Sequence, residues 1–243
     1  MNQKNKFLGI NSSEIFPYAA PNVNDKIIKD IIREIEILKK NEISFLDLGT
    51  GRGYNVFKLI NYCNEHNINY RATAVDISKE NFQLKENDNL KFVLKNLNED
   101  FNFGKFDFVI ATEVIEHIEN PYHFIRNCLK NLKEDGILYV SSPNIHNIFS
   151  IIKILIKDIP SFFSLKKEDT EHIMPISTFL IKKILFKIGL EMKKEFDIKI
   201  TFSQNFIRLP FKSFKENSFF RLTIPGANRW FGEIAIYKIR FRE

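Results

Sequence analysis

Apolar residues recur at Ile27, Ile28, Ile31, Ile32, Ile35 and Leu38, three and four apart, which predicts an amphipathic helix over 25–40. Asn24 is the expected N-cap, with Pro21 upstream. A continuous apolar run over 43–48 predicts a buried strand, and Gly49, Gly51 and Gly53 predict a tight turn after it. Val56, Leu59, Ile60 and Cys63 mark one face of a helix over 55–65. Further strands are predicted over 71–77, 90–94, 106–112 and 137–141. After the first of these, Ser78 caps a short helix around Phe82 and Leu84. Before the last, Pro121 opens a helix that runs through Leu132.

Five alternations of strand and helix with short connections predict an α/β fold, a doubly wound and mostly parallel sheet. A helix over 177–189 and alternating stretches at 196–202 and 231–241 follow, bringing the strands to seven. Residues 1–243 read as a single domain in which 145–175 and 203–229 break the pattern as insertions. Ligands of such sheets bind beyond the carboxyl ends of the strands, here 47–53, 76, 96, 112–117 and 141–144.

Composition narrows the class. With 44% hydrophobic and 27% charged residues, the chain is too apolar for a disordered segment. Cys63 and Cys128 fall in apolar helical patterns, which reads as buried thiols in a reducing compartment. Residues 1–5 are polar and the apolar stretch behind them is too short for a secretory leader. The greasiest run, 145–165, is broken by Lys153, Lys157, Asp158 and Pro160, so it is not a spanning helix, and a cytoplasmic location is expected. The net charge of +6 lies wholly in residues 193–243, which carry 11 Lys and Arg against 5 Asp and Glu. A local positive field there suits an anionic substrate or partner, and equally a solvated basic surface.

The glycine turn carries the first chemistry. A dinucleotide fingerprint needs G-x-G-x-x-G, but here the third glycine comes one residue early and Tyr54 takes its place. Asp47 precedes the turn, where a carboxylate repels pyrophosphate and suits an ammonium group. Asp76, 23 residues after Gly53, is placed to take both hydroxyls of a ribose. The pieces FLDLGTGRG, AVDIS and FDFVIATEVIEHIENP, in this order, resemble the class I S-adenosylmethionine-dependent methyltransferases over about 45–144, and more weakly beyond. The resemblance implies a Rossmann-like methyltransferase fold with S-adenosylmethionine as cofactor. It implies that Asp47, Gly49, Gly51 and Gly53 shape the methionine pocket, that Asp76 holds the ribose and that Ile77 packs on the adenine. Leu97 and Thr112 line the same edge. The family usually has Asp where this chain has Asn96, which retains an acceptor for the adenine amino group.

Glu113, Glu116 and His117 are spaced so that one helical turn would put all three on one face. Two carboxylates and an imidazole there could hold a divalent metal, or simply complement a helix start. EVIEH resembles two metal-using branches: the O-methyltransferases of ubiquinone biosynthesis, and the enzymes that methylate the terminal 2′-hydroxyl of small RNAs. By the second resemblance His172 joins as a further ligand. His117 is the candidate catalytic base, with or without metal. His146 is secondary, and His66 and His123 read as helix-surface residues.

The expected function is O-methylation of a small-molecule or sugar-like acceptor, phosphorylated and nucleotide-linked ones included. The alternatives are an RNA 2′-O-methyltransferase and an inactive cofactor-binding scaffold. The segment 145–165 reads as an apolar lid, as extra core or as a peripheral membrane-surface helix. The stretch 202–230, with Arg208, Lys212, Lys215, Arg221 and Arg229, suits an anionic substrate, and its aromatics also suit single-stranded nucleic acid. The modest global charge and the lack of a recognisable RNA-binding module argue against nucleic acid.

Overall fold

The first helix, α1 (Pro21–Leu38), begins at Pro21 in the computed structural model, which describes residues 15, 21–165, 172–203, 206–210, 219–223 and 228–242. Asn24 therefore lies inside the helix, buried, rather than capping it. There follow β1 (Glu42–Leu48), α2 (Tyr54–Glu65), β2 (Asn69–Asp76), β3 (Leu90–Leu94), β4 (Phe106–Ala111), α3 (Pro121–Lys130) and β5 (Leu132–Pro143). The second half adds α4 (Ile148–Lys157), α5 (Thr178–Met192), β6 (Phe196–Phe202), β7 (Phe206–Pro210), β8 (Phe219–Thr223) and β9 (Ile234–Phe241).

Seven strands form one sheet in the order β3-β2-β1-β4-β5-β9-β6. Strands β1 to β5 pair in parallel, and β9 runs antiparallel to both β5 and β6. The order reverses between β1 and β4, so the ends of these two strands open the crevice where doubly wound sheets bind ligands. The expected helix around Phe82 and Leu84 is absent: the chain passes from β2 to β3 in turns. Residues two apart face different sides of a helix, and in turns both Phe82 and Leu84 reach Gly53. Strands β7 and β8 form a separate hairpin within 203–229, a pairing that the sequence pattern did not predict.

Apolar layers cover both faces of the sheet. Ile27, Ile31 and Ile35 of α1 and Val56, Leu59 and Ile60 of α2 pack on Phe45, Phe108 and Tyr139. Phe124 and Cys128 of α3 and Ile181, Ile184 and Ile188 of α5 pack on Leu46, Val109 and Leu138. All six residues of β4 are buried, as expected of a strand covered on both sides. Its one charge, Asp107, is fully partnered. Oδ2 accepts from Ser44 N–H at 2.8 Å, Ser44 Oγ at 2.7 Å and Lys133 Nζ at 2.8 Å, and Oδ1 from Lys40 Nζ at 2.7 Å. Burial alone would raise its pKa, but the bonds from Lys133, Lys40 and Ser44 outweigh it and bring it to about 2. Cys63 and Cys128 are free and buried, and no helix among the described residues is long and apolar enough to cross a membrane.

Candidate active site

Beyond β1 the chain turns through Gly49, Gly51 and Gly53, at φ of 68°, 52° and 86°, values that glycine adopts without the clash a side chain would suffer. The N–H groups of Gly49 and Thr50 donate to the Val75 carbonyl at 2.9 and 3.0 Å, which pins the turn to β2. A Cβ on Gly49 would lie 2.4 Å from Val114 Cγ2. Asp76, closing β2, accepts from Gly51 N–H at 2.8 Å and from Ser78 N–H at 3.1 Å. Both acids of the sequence reading thus flank the turn.

Asp47 is only 1% exposed. Thr50 Oγ1 donates to its Oδ2 at 2.7 Å and Asn55 Nδ2 to its Oδ1 at 3.1 Å. Burial pushes its pKa up to about 6, against the pull of these two bonds and with help from the charge of Asp76. Asn55 Nδ2 also reaches Thr112 Oγ1, at the end of β4, at 3.4 Å. Ile77 stands at the rim with 70% of its surface exposed, while Leu97 is buried. Asn96 Oδ1 accepts from Asn98 N–H at 3.0 Å, so the atom expected to meet an adenine amine already has one local bond and one lone pair remaining.

Past β4 the helical turn expected to align Glu113, Glu116 and His117 does not form. Glu113 takes a left-handed φ of 53°, and its N–H donates to Ser141 Oγ at 2.9 Å. Only Ile115–His117 is helical, as one 3-10 turn, so Glu113 leaves the group that Glu116 and His117 form. The third member comes from far along the chain. The N–H groups of Ile173 and Met174 donate to the Glu116 carbonyl at 3.0 and 2.9 Å, which brings the His172 ring centroid to 4.8 Å from that of His117. One ligand atom from each of Glu116, His117 and His172 lies within 4.8 Å of the others. His172 Nδ1 donates to the Phe162 carbonyl at 2.6 Å, which leaves Nε2 as its ligating atom. Glu116 is wholly buried, and neither carboxylate oxygen has a hydrogen-bond partner among the described residues. Burial first, and the charge of Glu113 in addition, hold its carboxyl well above the usual carboxylate range.

The methyltransferase-domain family model matches residues 21–195, most of the chain. The chain belongs to this family. Its fold is that of the class I S-adenosylmethionine-dependent methyltransferases. The ubiquinone biosynthesis O-methyltransferase of Rickettsia typhi is 32% identical over 131 residues, 50% of this chain and 50% of that protein. The mitochondrial ubiquinone biosynthesis O-methyltransferase of Saccharomyces cerevisiae is 29% identical over 143 residues, 56% of this chain and 45% of that protein. The chain spans about half the length of these curated relatives in the matches. The fold resembles that of a SAM-dependent methyltransferase from Archaeoglobus fulgidus, with a TM-score of 0.51, 19% identity and coverage of 90% of this chain and 94% of that one. It also resembles the plantazolicin methyltransferase BpumL in complex with SAH, with a TM-score of 0.56, 15% identity and coverage of 91% and 85%.

Two polar residues of this methyltransferase escaped sequence reasoning. Thr50 and Asn55 bind Asp47, and the only signal for Asn55 was a polar side chain beside the buried face of α2. At the other rim, Asn144 Nδ2 donates to the carbonyls of Arg229 and Gly232 at 2.8 and 2.7 Å, tying together the bases of the two insertions. His146 sits half-buried there, and burial followed by the charge of Arg229 lowers its pKa. His66 stacks on Tyr62 and His123 pairs with Asp100 at 3.2 Å, both in surface roles. Lys212 and Lys215 lie outside the described residues, while β7 and β8 place Arg208 opposite Arg221.

Proposed function

We propose that this methyltransferase transfers the methyl group of S-adenosylmethionine to a hydroxyl oxygen of a small-molecule acceptor. The convergence of Glu116, His117 and His172 beyond the end of β4 carries the reading. The O-methyltransferase names of the curated relatives support oxygen as the acceptor atom. Asp47, Gly49, Gly51 and Gly53 hold the methionine part of the cofactor, and Asp76 accepts from both ribose hydroxyls. Ile77 and Leu97 flank the adenine, Asn96 takes its amine on the remaining lone pair, and Thr112 closes the methionine side.

A neutral hydroxyl attacks a sulfonium methyl poorly, so its proton must leave. In the proposed step the acceptor oxygen bonds to the methyl carbon, the carbon–sulfur bond breaks, and its electron pair stays on sulfur. His117 takes the proton. The donor set also fits a divalent cation, since an orphaned buried carboxylate beside two imidazoles is a ligand combination such ions favour. An ion held by Glu116, His117 and His172 would be the alternative to base catalysis: it would acidify the acceptor hydroxyl as a Lewis acid, and His117, with its lone pair on the ion, would take no proton. In this single domain, 145–175 and 203–229 cover the acceptor. α4 exposes Phe149, Ile152, Leu155 and Ile156, which suits an apolar acceptor or the membrane surface that holds one. The basic excess of the tail favours an anionic group on that acceptor.

A screen of phenols, sugars, sugar phosphates and short RNA, read by release of S-adenosylhomocysteine, tests the reading. Release is expected with a small hydroxyl acceptor and should fall about 100-fold or more in His117→Ala, with S-adenosylhomocysteine binding retained. Release with RNA alone would move the acceptor to nucleic acid, and binding without release in every class would leave a scaffold. Metal content settles the ion: equal amounts in the purified chain and in Glu116→Ala would remove it.

A further inference from the structure

Beneath the glycine turn lies a polar cluster where the first turn of α2 meets the ends of β1 and β4. Asn55 is 6% exposed there. Its Nδ2 donates to Asp47 Oδ1 at 3.1 Å and reaches Thr112 Oγ1 at 3.4 Å, while Thr50 Oγ1 occupies Asp47 Oδ2 at 2.7 Å. The other end of the amide, Oδ1, is buried with no hydrogen-bond partner among the described residues. Rotating the amide would set Oδ1 against the Asp47 carboxylate, so Asp47 fixes which end is which. The α-ammonium of S-adenosylmethionine carries three N–H donors and needs several acceptors in one place.

Resting on the cofactor reading above, we propose that Asn55 is a positioning residue for the site of the cofactor's α-ammonium: one end of its amide holds both Asp47, the carboxylate that meets the ammonium, and Thr112. A side chain that merely packed α2 against the sheet would not set the preference for the amino-acid part of the ligand. The role implies such a preference. Asn55 tunes Asp47, whose negative charge faces the ammonium, and its loss removes the side-chain link between Asp47 and Thr112.

Binding titrations of the full chain with S-adenosylhomocysteine and with 5′-methylthioadenosine test this. The second compound keeps the adenosine and the sulfur but lacks the ammonium and carboxylate. Asn55→Leu and Asn55→Ala should each weaken S-adenosylhomocysteine by about tenfold or more, the size expected for lost bonds to a charged group. Binding of 5′-methylthioadenosine should hold within about twofold, because none of the lost bonds concerns the adenosine. The pH at which S-adenosylhomocysteine affinity is half lost should also move upward, because Asp47 loses a hydrogen bond that favours its charged form. The leucine fills the space and the alanine empties it, so a folding defect in one leaves the other readable. Equal weakening of both compounds, or none for S-adenosylhomocysteine, overturns the proposal. A wild-type chain that binds neither compound overturns the cofactor reading beneath it, a result distinct from the first two.

Discussion

Two carboxylates beside the glycine turn have different surroundings. Asp76 is held by backbone N–H groups at the rim, whereas Asp47 is buried and its pKa is pushed up to about 6. Asp76→Ala should therefore abolish binding of S-adenosylhomocysteine in calorimetry, since no other acid stands at the end of β2. Asp47 must be charged to attract an ammonium, and protonation removes that attraction. Affinity for S-adenosylhomocysteine should fall as the pH drops through about 6, with a roughly tenfold loss between pH 7.5 and pH 5. The stability sign is the opposite. A carboxyl whose folded pKa lies above its unfolded value favours folding more as pH falls toward the unfolded value, so the ionised Asp47 costs stability at neutral pH. Asp47→Asn should thus melt no lower than the wild type at pH 7.5 while binding the ligand less tightly.

At the scale of elements, the turn and the strand register depend on a few close contacts. Gly49→Ala forces a Cβ to 2.4 Å from Val114 Cγ2 at a φ of 68°. It should cost about 1–3 kcal/mol in denaturant unfolding and weaken S-adenosylhomocysteine in parallel. Asp107 stitches β4 to Ser44 of β1 and Lys133 of β5. Its pKa is depressed to about 2, so its contribution is present above the unfolded carboxylate range and is lost as pH falls through about 2. Asp107→Ala orphans the buried Ser44 N–H, and thermal melts at pH 7 should show a loss of about 2–4 kcal/mol. At pH 2 the difference between variant and wild type should shrink.

The whole molecule couples this chemistry to folding. The proposed cofactor site draws on the ends of β1, β2 and β4, and the histidine pair joins residues 55 positions apart in the chain. A ligand gripping several strand ends binds the folded state alone. S-adenosylhomocysteine at a hundred times its dissociation constant should add about 2.7 kcal/mol, raising the melting temperature by about 5–10 °C for a chain of this length. Scanning calorimetry with and without the ligand checks this. An equal rise in Asp76→Ala would show that the stabilisation comes from elsewhere.

Much of the fold was legible locally. Apolar spacing marked the parallel strands and their crossover helices, and Asp47, the three glycines and Asp76 stood where strand ends meet turns. These features depend on neighbours within a few residues, which the chain displays directly. What needed the tertiary structure was closure over distance. Pairing to the Glu116 carbonyl brings His172 to His117, and Asn55 reaches Asp47 and Thr112 only because α2 packs under the turn. Beyond the start of α1, local spacing also misjudged two places near the candidate site. Glu113 leaves the helical face because its backbone turns left-handed onto Ser141, and Phe82 and Leu84 trade a helix for contact with Gly53. In each case a contact from another part of the chain outweighed the weak preference of a short segment, which periodicity cannot register.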